Sequence, residues 1–132
     1  MRFEELPHTA DCALLVWAPD IVSLLAEAAR GFNAVSGARI GKAPRVNRRI
    51  SLHEPDAESL LVAFLTELVY LQEQEALGFD QFQLEISSGD LSGLLEGSRL
   101  ISLAKPIKAV TFHNLRIQQT PRGREVEIVF DV

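Results

Sequence analysis

The sequence predicts an α+β fold: a single domain over residues 1–132, with two helices packed on one face of a mostly antiparallel β-sheet. Three observations carry this. The first 78 residues run in the order strand, helix, strand, helix. Both helical stretches repeat apolar residues every three or four positions, as a helix does when it buries one stripe. From residue 79 onward the pattern changes to period two, with turn residues between the runs. Strands that follow helices, rather than alternating with them to the end, favour an antiparallel sheet with the helices on one side. A chain of 132 residues buries about two-thirds of its unfolded surface, enough for a core without staples.

Each element has its own signal. "ALLVWA", Ala13 to Ala18, lacks alternation and reads as a central strand covered on both faces. Pro19-Asp20 breaks it, and Asp20 can cap a helix or serve as its first-turn acid. Ile21, Leu24, Leu25, Ala28, Phe32 and Val35 then define one apolar face, closed by "SGARIGKAP" with two glycines and a proline. "VNRRISLHE" alternates as a half-exposed strand. Glu54-Pro55-Asp56 opens the second helix, with Asp56 as cap. Its stripe is Leu61, Phe64, Leu65, Leu68 and Leu71, widened by Leu60, Val62 and Val69, and its end is predicted near Gly78. Phe82, Leu84 and Ile86 alternate as a strand, "SSGD" turns, and Leu94 to Leu103 form the next strand. After Pro106, Val110 and Phe112 share one face while Leu115 and Ile117 take the other. A bulge near Asn114 would account for the switch. "TPRGR" is a hairpin turn. The last strand places Val126, Ile128, Phe130 and Val132 on one face.

Composition sets the class. The chain is 47% hydrophobic and 23% charged, ordinary for a globular protein. Its single cysteine excludes an internal disulfide and fits a reducing compartment. "MRFEELPHTAD" lacks the apolar core of a signal peptide, and no run approaches the roughly 18 apolar residues of a membrane span. A soluble, cytoplasmic protein is expected, with no membrane and no DNA partner. A net charge of −5 argues against broad nucleic-acid binding, which needs a basic surface. The local exception is Arg39, Lys42, Arg45, Arg48 and Arg49. This run is either a solvated loop leading into a strand or a contact patch for a partner or RNA.

The last strand also points to a site. With Phe130 and Val132 on the apolar face the terminus is tethered, which holds the Val132 α-carboxylate beside the Asp131 side chain. Two oxygen groups one residue apart can share a hard cation if a third arrives, and Asp11, just before the first apolar strand, is the candidate. Crowded carboxylates repel, so a cation or basic side chain is expected among them. The alternatives stand beside this: a turn aspartate bonding its own backbone, and a solvated terminal acid. His8 is a turn residue or the partner of a carbonyl, or else a base or metal ligand. His113 reads as structural and His53 as a loop-edge residue without a partner. The three histidines share no metal-like spacing, so zinc is not expected. Cys12 reads as a buried thiol. Glu67 flanks the stripe of the second helix, where it reaches water or is held by a partner. Lys108 is that partner or a surface lysine. No phosphate loop, nucleophile elbow or Ser/His/Asp order is present, and no catalytic residue is assigned.

"HTAD", "ESLLVAFLTELVY", Glu96-Gly97 ahead of "IKAVTFHNLRI", and the final "FDV" together resemble the archease family, in order and over nearly the whole chain. The resemblance implies a non-enzymatic activator of the RtcB-type RNA ligase in tRNA splicing or RNA repair. That ligase joins a 3′-phosphate to a 5′-hydroxyl with GTP and a divalent metal. The activator promotes guanylylation of the ligase and so multiple turnover. It implies a divalent cation (calcium, magnesium or manganese) on Asp11, Asp131 and Val132. It also implies weaker ligase contacts at Glu67, Lys108 and His8. GTP would be used by the partner and not held stably by this chain, and RNA would be met only indirectly. Cys12-Ala13 replace the aliphatic residue and glycine that often follow HTAD, Asp-Val replaces Asp-Ile, and the basic run lies outside the family pattern. A metal-dependent phosphoesterase, and a small binding or chaperone-like module with a structural metal, are the alternatives.

Overall fold

The computed structural model describes residues 1–6, 12–112 and 114–132. Nine strands and two helices occur among them in the order β1 (Arg2–Leu6), β2 (Cys12–Ala18), α1 (Ile21–Ser36), β3 (Arg39–Ile40), β4 (Val46–His53), α2 (Ala57–Glu75), β5 (Leu77–Ser87), β6 (Asp90–Ser102), β7 (Ala109–Thr111), β8 (Gln118–Thr120) and β9 (Gly123–Asp131). Every pairing of these strands is antiparallel. The predicted fold class holds, but the strands divide between two sheets. One has the order β1-β2-β9-β7, with β8 also beside β9. The other centres on β6, flanked by β4 and β5, with β3 at its end.

Both helices start where the sequence places them, because both caps are aspartates in extended conformation. Asp20 Oδ1 accepts from the Ser23 N–H at 2.8 Å, and Asp56 Oδ1 from the Ser59 N–H at 2.7 Å. Each satisfies a backbone donor that the helix itself cannot. Gly37 ends α1 in the left-handed region, φ 63°. The second helix stops earlier than predicted. Ala76 takes φ 53° and its N–H turns back to the Leu71 carbonyl, so the chain enters β5 at Leu77. A non-glycine residue in that region is uncommon, and the sequence carries no warning of it.

The change of face near Asn114 is not a bulge. β7 leaves β9 at Thr111, opposite Val129, and β8 rejoins the same edge at Gln118, opposite Glu125. Between them the Leu115 N–H donates to the Phe112 carbonyl at 3.1 Å, and Asn114 has φ 52°. The edge of β9 is thus shared by two short strands with a turn between.

The helices pack on each other, and each touches strands of both sheets: α1 meets β1, β2, β9 and β5, while α2 meets β4, β5 and β7. The core lies among them. Leu14, Leu24, Leu25, Phe64, Leu65, Leu95, Ile128 and Phe130 are fully buried. Phe130 of β9 meets Phe32 of α1 at 6.0 Å between centroids, and Phe64 of α2 meets Phe82 of β5 at 6.4 Å, within the range for favourable ring pairs. Among the described residues no helix is long and apolar enough to cross a membrane.

Candidate functional site

Alternation along β9 decides which side chains are free. Ile128 and Phe130 are buried; Asp131 is exposed; Val132 is half-buried and packs against the core. This is the tethered end the sequence predicts. Its backbone is held from the β7 side, where the Lys108 N–H donates to the Asp131 carbonyl at 2.7 Å and Ala109 sits opposite Asp131. From the other side Cys12, next in sequence to Asp11, pairs with Phe130, next in sequence to Asp131. The start of β2 and the end of β9 therefore lie side by side, flanked by β7.

A basic side chain stands at this place. Lys105 Nζ donates to the Cys12 sulfur at 3.3 Å. The loop that carries it is tied to the end of α1: the Ala104 and Lys105 N–H groups donate to the Ser36 carbonyl at 3.0 and 2.9 Å. Sequence reasoning missed Lys105, because 93 residues separate it from Cys12 and no spacing rule links them. Cys12 itself is buried and free of a disulfide, as expected.

Asp11, His8 and His113 lie outside the described residues. Among the described residues no group of three or more His, Cys, Asp or Glu is gathered as a metal cluster. Asp131 and Val132 are the described members of the candidate site, and their donors are oxygens of the kind that hard cations take. Glu67 is half-buried on α2, which packs beside β7, and Lys108 is exposed. Among the described residues no hydrogen bond or ion pair joins these two, and Lys108 lies at the surface. His53 does have a partner: its Nδ1 is 2.5 Å from Asp90 Oδ1, across the ladder between β4 and β6.

The basic run is partly matched within the chain. Arg45 reaches Asp80 at 2.5 Å and Glu96 at 3.0 Å, and Arg48 reaches Glu75 at 2.7 Å. The hydrogen bond to Asp80 is the main cause holding the Arg45 guanidinium above its ordinary pKa, so its charge is permanent. Arg39, Lys42 and Arg49 are exposed, as is Arg45, while Arg48 is half-buried. Two of the five charges thus pair with acids of α2, β5 and β6 at the surface.

Residues 3–132 match the model of the archease protein family. The chain is 32% identical to a protein archease of Methanosarcina mazei, over 99% of this chain and 96% of the relative. It is 30% identical to one from Archaeoglobus fulgidus, covering 100% of both. In fold it is similar to a Thermotoga maritima crystal structure described as an archease and possible chaperone. The TM-score is 0.72 at 20% identity, covering 100% of this chain and 98% of that one. A solution structure from Methanobacterium thermoautotrophicum gives 0.72 at 22% identity, covering 98% of each. From residue 3 to its last residue, then, this chain belongs to the archease protein family.

Proposed function

We propose that this protein is a non-enzymatic cofactor that activates an RtcB-type 3′-phosphate RNA ligase in tRNA splicing or RNA repair. Family membership supports the class. The observation that carries the reading is the meeting of two chain segments: the strand that follows "HTAD" begins beside the strand that finishes with Asp131 and Val132. That adjacency is what a shared site for Asp11, Asp131 and Val132 requires.

The residues have separate roles in this reading. Phe130 and Val132, anchored in the core, fix the end of β9 so that the exposed Asp131 carboxylate has a defined direction. The Lys108 N–H occupies one face of the Asp131 carbonyl, which leaves the side chain to take a ligand. Lys105 offsets negative charge when no cation is present. Asp11, Asp131 and Val132 would hold a divalent cation of the calcium, magnesium or manganese kind, which would supply positive charge for phosphate oxygens. The acidic end enters the mouth of the ligase active site and arranges metal and nucleotide there for guanylylation. GTP is consumed by the ligase. Glu67, Lys108 and His8 contribute contacts to it.

The test is RNA joining by the cognate ligase, held well below substrate concentration with GTP and manganese. Many turnovers are expected only when the chain is added. A ligase that completes one turnover and gains nothing from the chain would overturn the proposal.

A further inference from the structure

A second surface lies away from the β9 end, where the two helices begin. Between the first turns of α1 and α2 and the β5–β6 turn is an open cavity of about 370 Å³. Its walls are apolar: Val22 of α1, Pro55 and Leu60 at the start of α2, and Ile86 of β5. Its rim carries three acids, Asp20, Glu54 and Asp56, and among the described residues no lysine, arginine or histidine lines it.

The frame is fixed. Asp20 and Asp56 each spend one oxygen on their own helix through Ser23 and Ser59, and the Glu54 N–H donates to the Gly89 carbonyl at 3.4 Å. Both capping residues are exposed. No hydrogen bond or ion pair among the described residues reaches the Glu54 carboxylate. The Asp56 carboxyl is held below the usual carboxylate range by hydrogen bonding from Ser59, so Asp56 keeps its charge in mild acid. At this volume the cavity sits at the lower end of ligand sites, about 300–1,000 Å³, which suits one or two inserted side chains.

We infer that this cavity docks a basic segment of a partner protein, with one or two apolar side chains seated between the helix starts and lysines or arginines on the acidic rim. Charge decides the occupant. Three carboxylates around an apolar floor repel phosphate, which excludes nucleic acid and anionic lipid, and they match a cationic chain. This inference stands without the ligase reading, since it uses a different face and different residues.

The test is an amide-shift NMR titration of the full chain with a six-residue peptide that has two leucines flanked on each side by lysine and arginine. Two control peptides carry glutamates or serines at the flanks. The basic peptide is expected to saturate below about 1 mM, the weak end of specific association, with shifts grouped at residues 20–22, 54–60 and 86–89. Asparagine caps a helix as well as aspartate does, so the D20N/E54Q/D56N triple variant keeps its melting temperature. It should lose about tenfold in affinity, as three exposed charge pairs predict. Equal binding of either control, shifts elsewhere, no shift by 1 mM, or self-association that covers the cavity would each overturn the inference. The last would make a second copy the occupant.

Discussion

Asp131 is exposed, yet its main chain is bonded to Lys108 and its neighbours on both sides pack inward. Its side chain therefore adds little to stability and is free for function. The Asp131→Ala variant is expected to unfold within about 0.5 kcal/mol of the parent, as exposed positions do. Its stimulation of the ligase should fall by about 10-fold to 100-fold, the range seen when a metal-site partner is lost. Multiple-turnover joining and urea unfolding, run on the same preparation, separate the two effects. Asp56 makes a pH prediction. The Ser59 hydrogen bonds lower its folded pKa below the ordinary carboxylate value. Its contribution is therefore complete above the ordinary carboxylate pKa and is lost as pH falls through the lowered folded value. The Asp56→Asn chain keeps its cap and should lose this part of the acid dependence, read as a flatter denaturation midpoint between pH 5 and pH 2. Both caps were legible from a Pro-Asp step and the apolar stripe after it. Lys105 beside Cys12 was not, because only the folded chain brings them together.

At the scale of elements, β5 and β6 approach closely at Gly97, the glycine where an added Cβ would meet its nearest atom at the shortest distance. A Cβ added to Gly97 would overlap the Gly78 carbonyl oxygen, which is backbone and has no room to yield. The Gly97→Ala substitution is expected to destabilise the protein by about 3 kcal/mol, the upper end for overpacking. Chemical denaturation measures it, and a loss under 1 kcal/mol would show that the hairpin can open. This pairing explains the glycine in the Glu96-Gly97 motif without any functional role. Strongly patterned elements were legible: α1 and β9 by their periodicity and β2 by its continuous apolar run match their predicted positions closely, and α2 matches except at its end. The missed ones are short or irregular. β1 has only Phe3 and Leu6 as apolar residues, and β3 is two residues long. The turn at Asn114 imitated a bulge because both reverse the faces of a strand pattern.

For the whole molecule, the division into two sheets could not be read in advance, since strand periodicity says which face is buried but not which strands pair. The consequence is that β9 sits inside the first sheet, with β2 on one side and β7 and β8 on the other. An extension fused after Val132 should abolish ligase stimulation, while the same extension before Met1 should leave most of it. β1 is an edge strand of the sheet, whereas residue 132 packs on the core at the proposed site. Equal activity of the two fusions would count against a site there. Cation binding should also register as stability. At 100 times the dissociation constant, calcium, magnesium or manganese adds about 2.7 kcal/mol to the folded state. Thermal unfolding with each metal detects this, and the gain should vanish in Asp131→Ala.

The position of β9 has a further consequence for biosynthesis. β2, β7 and β8 all leave the ribosome before the strand that joins them. Until β9 emerges, β2 has only β1 for a neighbour, and its long edge with Leu14 and Val16 is open. Bringing β9 back to β2 closes a loop of roughly a hundred residues, a topology that folds slowly. The nascent chain thus carries an apolar strand with one edge open through most of its translation. The candidate site, which needs both ends of that pairing, is the last part of the protein to come into being.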